Sequence, residues 1–181
     1  MFRQTAHTDT FSRDNLPPQE TLPDFPLENF KYPDRLNAAY ELTDAMVKKG
    51  FGDHTALIGN GRRRTYKELT DWSNRIAHVL VDDLRVKPGN RILIRSANNP
   101  AMVACWLAAT KVGAVVVNTM PMLRAAELAK YVELAEISHA LCDIRLMDEM
   151  RICEQDSSCL QKVVGFDGTS NHNAELDELA L

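Results

Sequence analysis

Residues 91–143 constrain the fold more than any other stretch, because apolar runs of strand length alternate there with segments of helical period. Arg91-Ile92-Leu93-Ile94-Arg95 and Ala114-Val115-Val116-Val117 are continuous apolar runs, the pattern of strands covered on both faces in a parallel sheet. His139-Ala140-Leu141-Cys142 is a third. Between the first two, Asn99 before Pro100 opens a helix: asparagine accepts from the free amides of a first turn, and proline loses nothing at the first helical position. Gly113 closes that helix, whose residues 102–107 are apolar nearly all round, as in a helix covered on more than one side. Leu128, Tyr131, Val132 and Ala135 mark the next helix. The predicted fold class is α/β, a doubly wound and mostly parallel sheet with flanking helices.

The pattern continues downstream with a helix on Leu146, Met150 and Cys153, a strand over residues 162–166, and a last amphipathic run to Leu181 that Asn173 is placed to cap. Upstream, residues 55–58 and 63–66 flank Gly59-Asn60-Gly61 and predict a β-hairpin. Thr65 and Glu68 have capping-box spacing, and Leu69, Trp72, Ile76, Leu80 and Leu84 follow as the buried stripe of a helix. Residues 36–48 predict one helix before Gly50. Residues 1–34 carry Pro17, Pro18, Pro23, Pro26 and Pro33 among Phe11, Phe25 and Phe30, which predicts an extended strap pinned by its aromatics. The expected organisation is a strap over 1–34 and one α/β subdomain over 35–181, cut off inside its final helix.

At 181 residues the chain fits one domain able to bury ~70% of its unfolded surface. A net charge of −4 argues against nucleic acid as a partner, and no apolar run approaches the ~20 residues that span a bilayer. The N-terminus has no basic-then-apolar signal, and Cys105, Cys142, Cys153 and Cys159 form no CxxC pair, so reduced thiols and a cytoplasmic location are expected.

Neither G-x-G-x-x-G nor G-x-x-x-x-G-K-[ST] occurs. Gly168-Thr169-Ser170 invites comparison with a phosphate loop, but Glu175, Asp177 and Glu178 follow where a cation would be needed, so a polar turn is the better account. The five histidines lack metal-ligand spacing, and His139 and Cys142, three apart on a strand, point to opposite faces. Arg62-Arg63-Arg64 fits the role of charges that guard an edge strand, and Trp72 and Trp106 that of core side chains. Asp143 and Arg145 lie just beyond the carboxyl end of a strand, where open α/β sheets bind ligands, although loop polarity also accounts for them.

Thr65-Tyr66-Lys67-Glu68-Leu69 resembles the Thr/Ser-Tyr-x-Glu-Leu motif of the adenylate-forming acyl-CoA synthetases, and Ala109-Thr110-Lys111-Val112-Gly113-Ala114-Val115-Val116-Val117 resembles their Leu-Lys-x-Gly-x-x-x-Val-Pro segment. Pro88-Gly89, Asn98-Asn99-Pro100 and Glu127-Leu128 agree in order; Asn118-Thr119-Met120-Pro121 departs, since that family more often places proline directly after the strand. The wording of residues 122–128 and 137–143 looks most like the 2-aminobenzoate and benzoate CoA ligase branch. The resemblance implies a parent enzyme that uses ATP, Mg²⁺ and coenzyme A to turn a carboxylic acid, here an aromatic one, into an acyl-adenylate and then a thioester. It also implies that the residues performing this lie outside the chain, which is therefore expected to be inactive alone, to bind none of these cofactors tightly and to have the rest of its own enzyme as partner. No catalytic residue and no metal ligand carries over. Some members rest the coenzyme A nucleotide on basic side chains of the N-terminal domain, which motivates Arg145 and Arg151 as contacts. Self-association is expected through the apolar helix at 102–107 and through Leu176, Leu179 and Leu181. The competing expectation is a free-standing α/β interaction or small-ligand module without catalysis.

Overall fold

The computed structural model describes residues 5–23, 31–169, 171 and 173–181. Their elements run, in chain order, α1 (Phe11–Asp14), α2 (Ala38–Leu42), α3 (Asp44–Met46), β1 (Thr55–Gly59), β2 (Arg62–Thr65), α4 (Tyr66–His78), β3 (Arg91–Arg95), α5 (Pro100–Lys111), β4 (Val115–Thr119), α6 (Ala125–Leu134), β5 (His139–Asp143), α7 (Met147–Asp156), β6 (Lys162–Phe166) and α8 (Glu175–Leu179). β1 and β2 pair as an antiparallel hairpin. The other four strands form a parallel sheet in the order β4-β3-β5-β6. The chain leaves β3 for β4 on one side, returns past β3 to β5 on the other, and adds β6 outside it.

Alternation along the strands divides the core in two. Ile92, Ile94, Leu141, Val164 and Phe166 pack with α4, α5 and α8, whereas Leu93, Ala140, Cys142 and Val163 pack with α6 and α7. Burying one such aliphatic side chain is worth about 1.5–3 kcal/mol, and β3, between two neighbours and two layers, is buried at all five positions. β4 and β6 are the edge strands, and the three valines of β4 are only half-buried.

Local chemistry sets the boundaries. The Thr65 hydroxyl accepts from the Glu68 amide at 3.2 Å and the Glu68 carboxylate from the Thr65 amide at 2.8 Å, so two donors at the start of α4 are satisfied together. Asn99 accepts from the Met102 amide at 2.9 Å, with Pro100 at the first position of α5. At α6 the Glu149 carboxylate, reaching from α7, accepts from the Ala125 amide at 2.8 Å.

Several expectations are corrected. The single helix over 36–48 breaks at Thr43 (φ −129, ψ −83), whose buried hydroxyl donates to the Ala39 carbonyl at 2.6 Å and to Asp44 at 2.9 Å, giving the backbone an alternative to the next helical bond. α5 is covered on more than one side, as its all-round apolar pattern predicts: α2, α4 and β1 pack on it as well as the sheet, and Met102, Val103 and Trp106 pack against the core. Arg64 is no edge guard, since it is buried with its guanidinium 4.5 Å from the Trp72 ring. Ala174, not Asn173, occupies the cap position of α8. In the strap, Phe11 lies against Arg91, whereas Phe25 and Phe30 fall outside the described residues; the strap also makes two single turns, α1 and Gln19–Thr21. The four cysteines are free thiols, and no helix among the described residues is long and apolar enough to cross a membrane.

Candidate functional site

The strand order reverses direction between β3 and β5, and in open α/β sheets the crevice at the carboxyl ends of such a pair is where ligands bind. Arg95 and Ser96 arrive there at the end of β3, Asp143 and Arg145 at the end of β5, and Asp167 and Gly168 just past β6. What fills the crevice is the chain itself.

Arg95 is 2% exposed. It lies on the α6/α7 side with Leu93, and its guanidinium donates to the carbonyls of Pro121 at 2.9 Å, Leu123 at 2.7 Å, Met120 at 3.3 Å and Leu146 at 3.4 Å. A cation spent on four carbonyls fixes the loop after β4 against the turn after β5. Asp143, wholly buried, accepts from the backbone amide and Nε of Arg145 at 3.1 and 3.0 Å, from Arg145 Nη2 at 2.6 Å, and from Ser96 Oγ at 3.4 Å. Burial alone would raise its pKa, but the Arg145 hydrogen bonds and charge, with help from Ser96, hold the carboxyl below its ordinary range. Asn99 Nδ2 supports Ser96 Oγ at 2.8 Å.

The Gly168 turn is closed in the same way. The Asp167 carboxylate takes the Thr169 amide at 2.8 Å, the Thr169 hydroxyl at 2.6 Å and the Asn171 amide at 3.2 Å. These are the groups a phosphate would have to engage, and an anion already holds them. Burial opposes the charge on Asp167, yet these donors keep its pKa low. The turn does not fit ATP phosphates. Among the described residues no group of three or more His, Cys, Asp or Glu could hold a metal ion.

Of the residues singled out from the sequence, Asp143 and Arg145 meet as an ion pair at the carboxyl edge. Arg145 lines a cleft of about 290 Å³ with Arg95, Arg124, Asp148 and Glu149, and its side chain is half-exposed. Arg151 lies elsewhere, part-way along α7, where it pairs with Glu154 at 2.7 Å and reaches the Val163 carbonyl at 3.5 Å near the start of β6. The structure does not bring the two arginines together. His139 Nε2 donates to the Leu84 carbonyl at 2.9 Å while Nδ1 meets Ser138 Oγ at 2.8 Å, and burial, against that Leu84 bond, lowers its pKa. The Cys142 thiol is pushed up to about 12 by burial, which leaves it unreactive. Arg95, Ser96 and Asp167 were not expected from sequence; the only signal was a charge closing an otherwise apolar strand on the side-chain face of Leu93.

The model of the AMP-binding enzyme family matches residues 45–180, and the chain belongs to that family. It is 28% identical over 113 residues to a crotonobetaine/carnitine–CoA ligase of Salmonella enteritidis, covering 60% of this chain and 22% of the ligase. A very long-chain fatty acid transport protein of Cochliobolus heterostrophus is 29% identical over 101 residues, covering 56% and 16%. The chain thus spans about a fifth of the curated relatives it matches. Among solved structures, the anthranilate CoA ligase AuaEII in complex with anthranoyl-AMP superposes with a TM-score of 0.69 at 16% identity, over 75% of this chain and 26% of that one. A benzoate CoA ligase from Burkholderia xenovorans gives 0.69 at 21%, over 81% and 28%. At these identities the likeness is one of fold.

Proposed function

We propose that residues 1–181 supply the structural scaffold of an ATP-dependent acid–CoA ligase and do not themselves perform its chemistry. The observation that carries this reading is the closed carboxyl edge: Arg95 and Asp143 are consumed by internal bonds, Arg145 is paired to Asp143, and Asp167 holds the Thr169 amide and hydroxyl and the Asn171 amide of the glycine turn past β6. In the whole protein, ATP with Mg²⁺ activates the carboxylate as an adenylate, and coenzyme A displaces AMP. Family membership and the CoA ligases among the relatives support that reaction class. An aromatic acid is the proposed substrate class, supported by the wording of residues 122–128 and by folds shared with anthranilate and benzoate CoA ligases. Arg145 is the better placed of the two proposed nucleotide contacts, because its side chain, although paired with Asp143, is half-exposed and lines the 290 Å³ cleft.

The test is ATP–pyrophosphate exchange by the purified 181-residue chain with benzoate, 2-aminobenzoate, carnitine and a fatty acid. No exchange above a no-enzyme blank is expected with any of them. Acid-dependent exchange would overturn the scaffold reading and would name the substrate at the same time.

A further inference from the structure

Arg91 opens β3 at the amino edge of the sheet, away from the crevice just described, and is 5% exposed. Its Nε donates to the Ala135 carbonyl at 2.8 Å, Nη2 to the Glu136 carbonyl at 2.8 Å and Nη1 to the Gly89 carbonyl at 3.1 Å. The Glu136 carboxylate stands 4.0 Å away and is mostly exposed. The carboxylate bonded to this guanidinium comes from the strap: Asp9 accepts from Arg91 Nη1 and from Asn90 Nδ2, the latter at 2.9 Å.

The fit around Asp9 uses backbone, charge and ring together. The amides of Thr8 and Asp9 both donate to the Pro88 carbonyl at 3.0 Å. The Phe11 ring centroid lies 4.4 Å from the Arg91 guanidinium carbon, a cation–π contact. Gly89 has φ +93, and a Cβ there would come within 2.1 Å of the Asp9 carbonyl, so the strap's backbone passes where only glycine leaves room. Beyond residue 11 the character changes. The hydrogen bonds of Arg13, Asn15, Thr21 and Leu22 run to other strap residues, and the two turns there bury nothing. Among the described strap residues, the hydrogen bonds, ion pair and ring contact made to residues 88–91 come from residues 8–11.

We propose that residues 8–11 are a releasable latch, an acidic-aromatic peptide that occupies in cis a peptide-binding site formed by Pro88, Gly89, Asn90 and Arg91. The occupant is the chain's own strap, recognised as a carboxylate two residues before an aromatic ring. Release leaves a buried guanidinium without its bonded carboxylate, so the site stays filled by whichever such peptide is present at the higher effective concentration.

The full-length chain tests this. A labelled peptide of residues 5–16 is titrated by fluorescence anisotropy into wild type and into a chain with the latch vacated by Asp9→Ala and Phe11→Ala. Saturable binding to the vacated chain is expected, at least tenfold weaker binding to wild type, and at least a tenfold loss when the peptide carries Asp9→Asn. No saturable binding to a folded vacated chain, or equal binding of the Asp9→Asn peptide, overturns the proposal. A second readout needs only wild type: hydrogen exchange at the amides of Thr8 and Asp9 accelerates when unlabelled peptide is added to saturation. Unchanged protection at these amides also overturns it.

Discussion

A side chain at Gly168 would collide with the ion pair that closes the crevice: its Cβ would lie 1.9 Å from Asp143 Oδ2 and 2.6 Å from Arg145 Nη2. The requirement here is space, not backbone angle, because Gly168 is not among the glycines with positive φ. Gly168→Ala is expected to destabilise the fold by about 1–3 kcal/mol, as overpacking does elsewhere, read as a lower urea midpoint at unchanged slope. The Asp143 pair has a pH signature of its own. A carboxyl whose folded pKa lies below its unfolded value stabilises fully above the ordinary 3.8, and that contribution fades as pH falls through the depressed folded value. Only part of this arrangement was legible in the sequence. Asp143 and Arg145 are two residues apart and follow an apolar run, so their place at a strand's end is readable; Ser96 and Gly168 join them from distant positions that only the tertiary fold brings near.

Elements with a strong local signature were legible, and those whose ends depend on one competing hydrogen bond were not. β3, α5 and α4 follow from apolar runs, from Asn99-Pro100 and from Thr65 with Glu68. The break at Thr43 did not follow, because the apolar spacing runs straight through it while a buried hydroxyl decides the backbone. Arg64 was misplaced for a related reason: alternation puts it on the inner face of the hairpin, where the Trp72 ring is its partner. Thr65 anchors α4 from outside the core, so Thr65→Ala is expected to cost about 1 kcal/mol by thermal or urea unfolding while leaving the fold intact. A cost near zero would mean that packing alone fixes where α4 begins.

For the whole molecule, the two cores share nothing but the sheet between them, and apolar side chains remain outside both. Met122 and Leu134 are about four-fifths exposed and Leu181, one of the expected contacts, almost wholly so, while α5 and Leu176, also expected to take part, are covered. We therefore propose that self-association of the purified chain runs through these residues and the β4 edge, not through α5. Light scattering behind size exclusion is expected to show a mean mass that rises with loaded concentration, and a constant monomer mass counts against it.

The placement of β3 at the centre of the sheet also has a consequence for biosynthesis. It is the first of the four parallel strands to leave the ribosome, yet β4 and β5, which cover its two edges, follow it in the chain. For the time needed to translate α5 and α6, Ile92, Leu93 and Ile94 stand without the strands that later cover them, an apolar segment with open edges of the kind that makes an incomplete chain prone to aggregate.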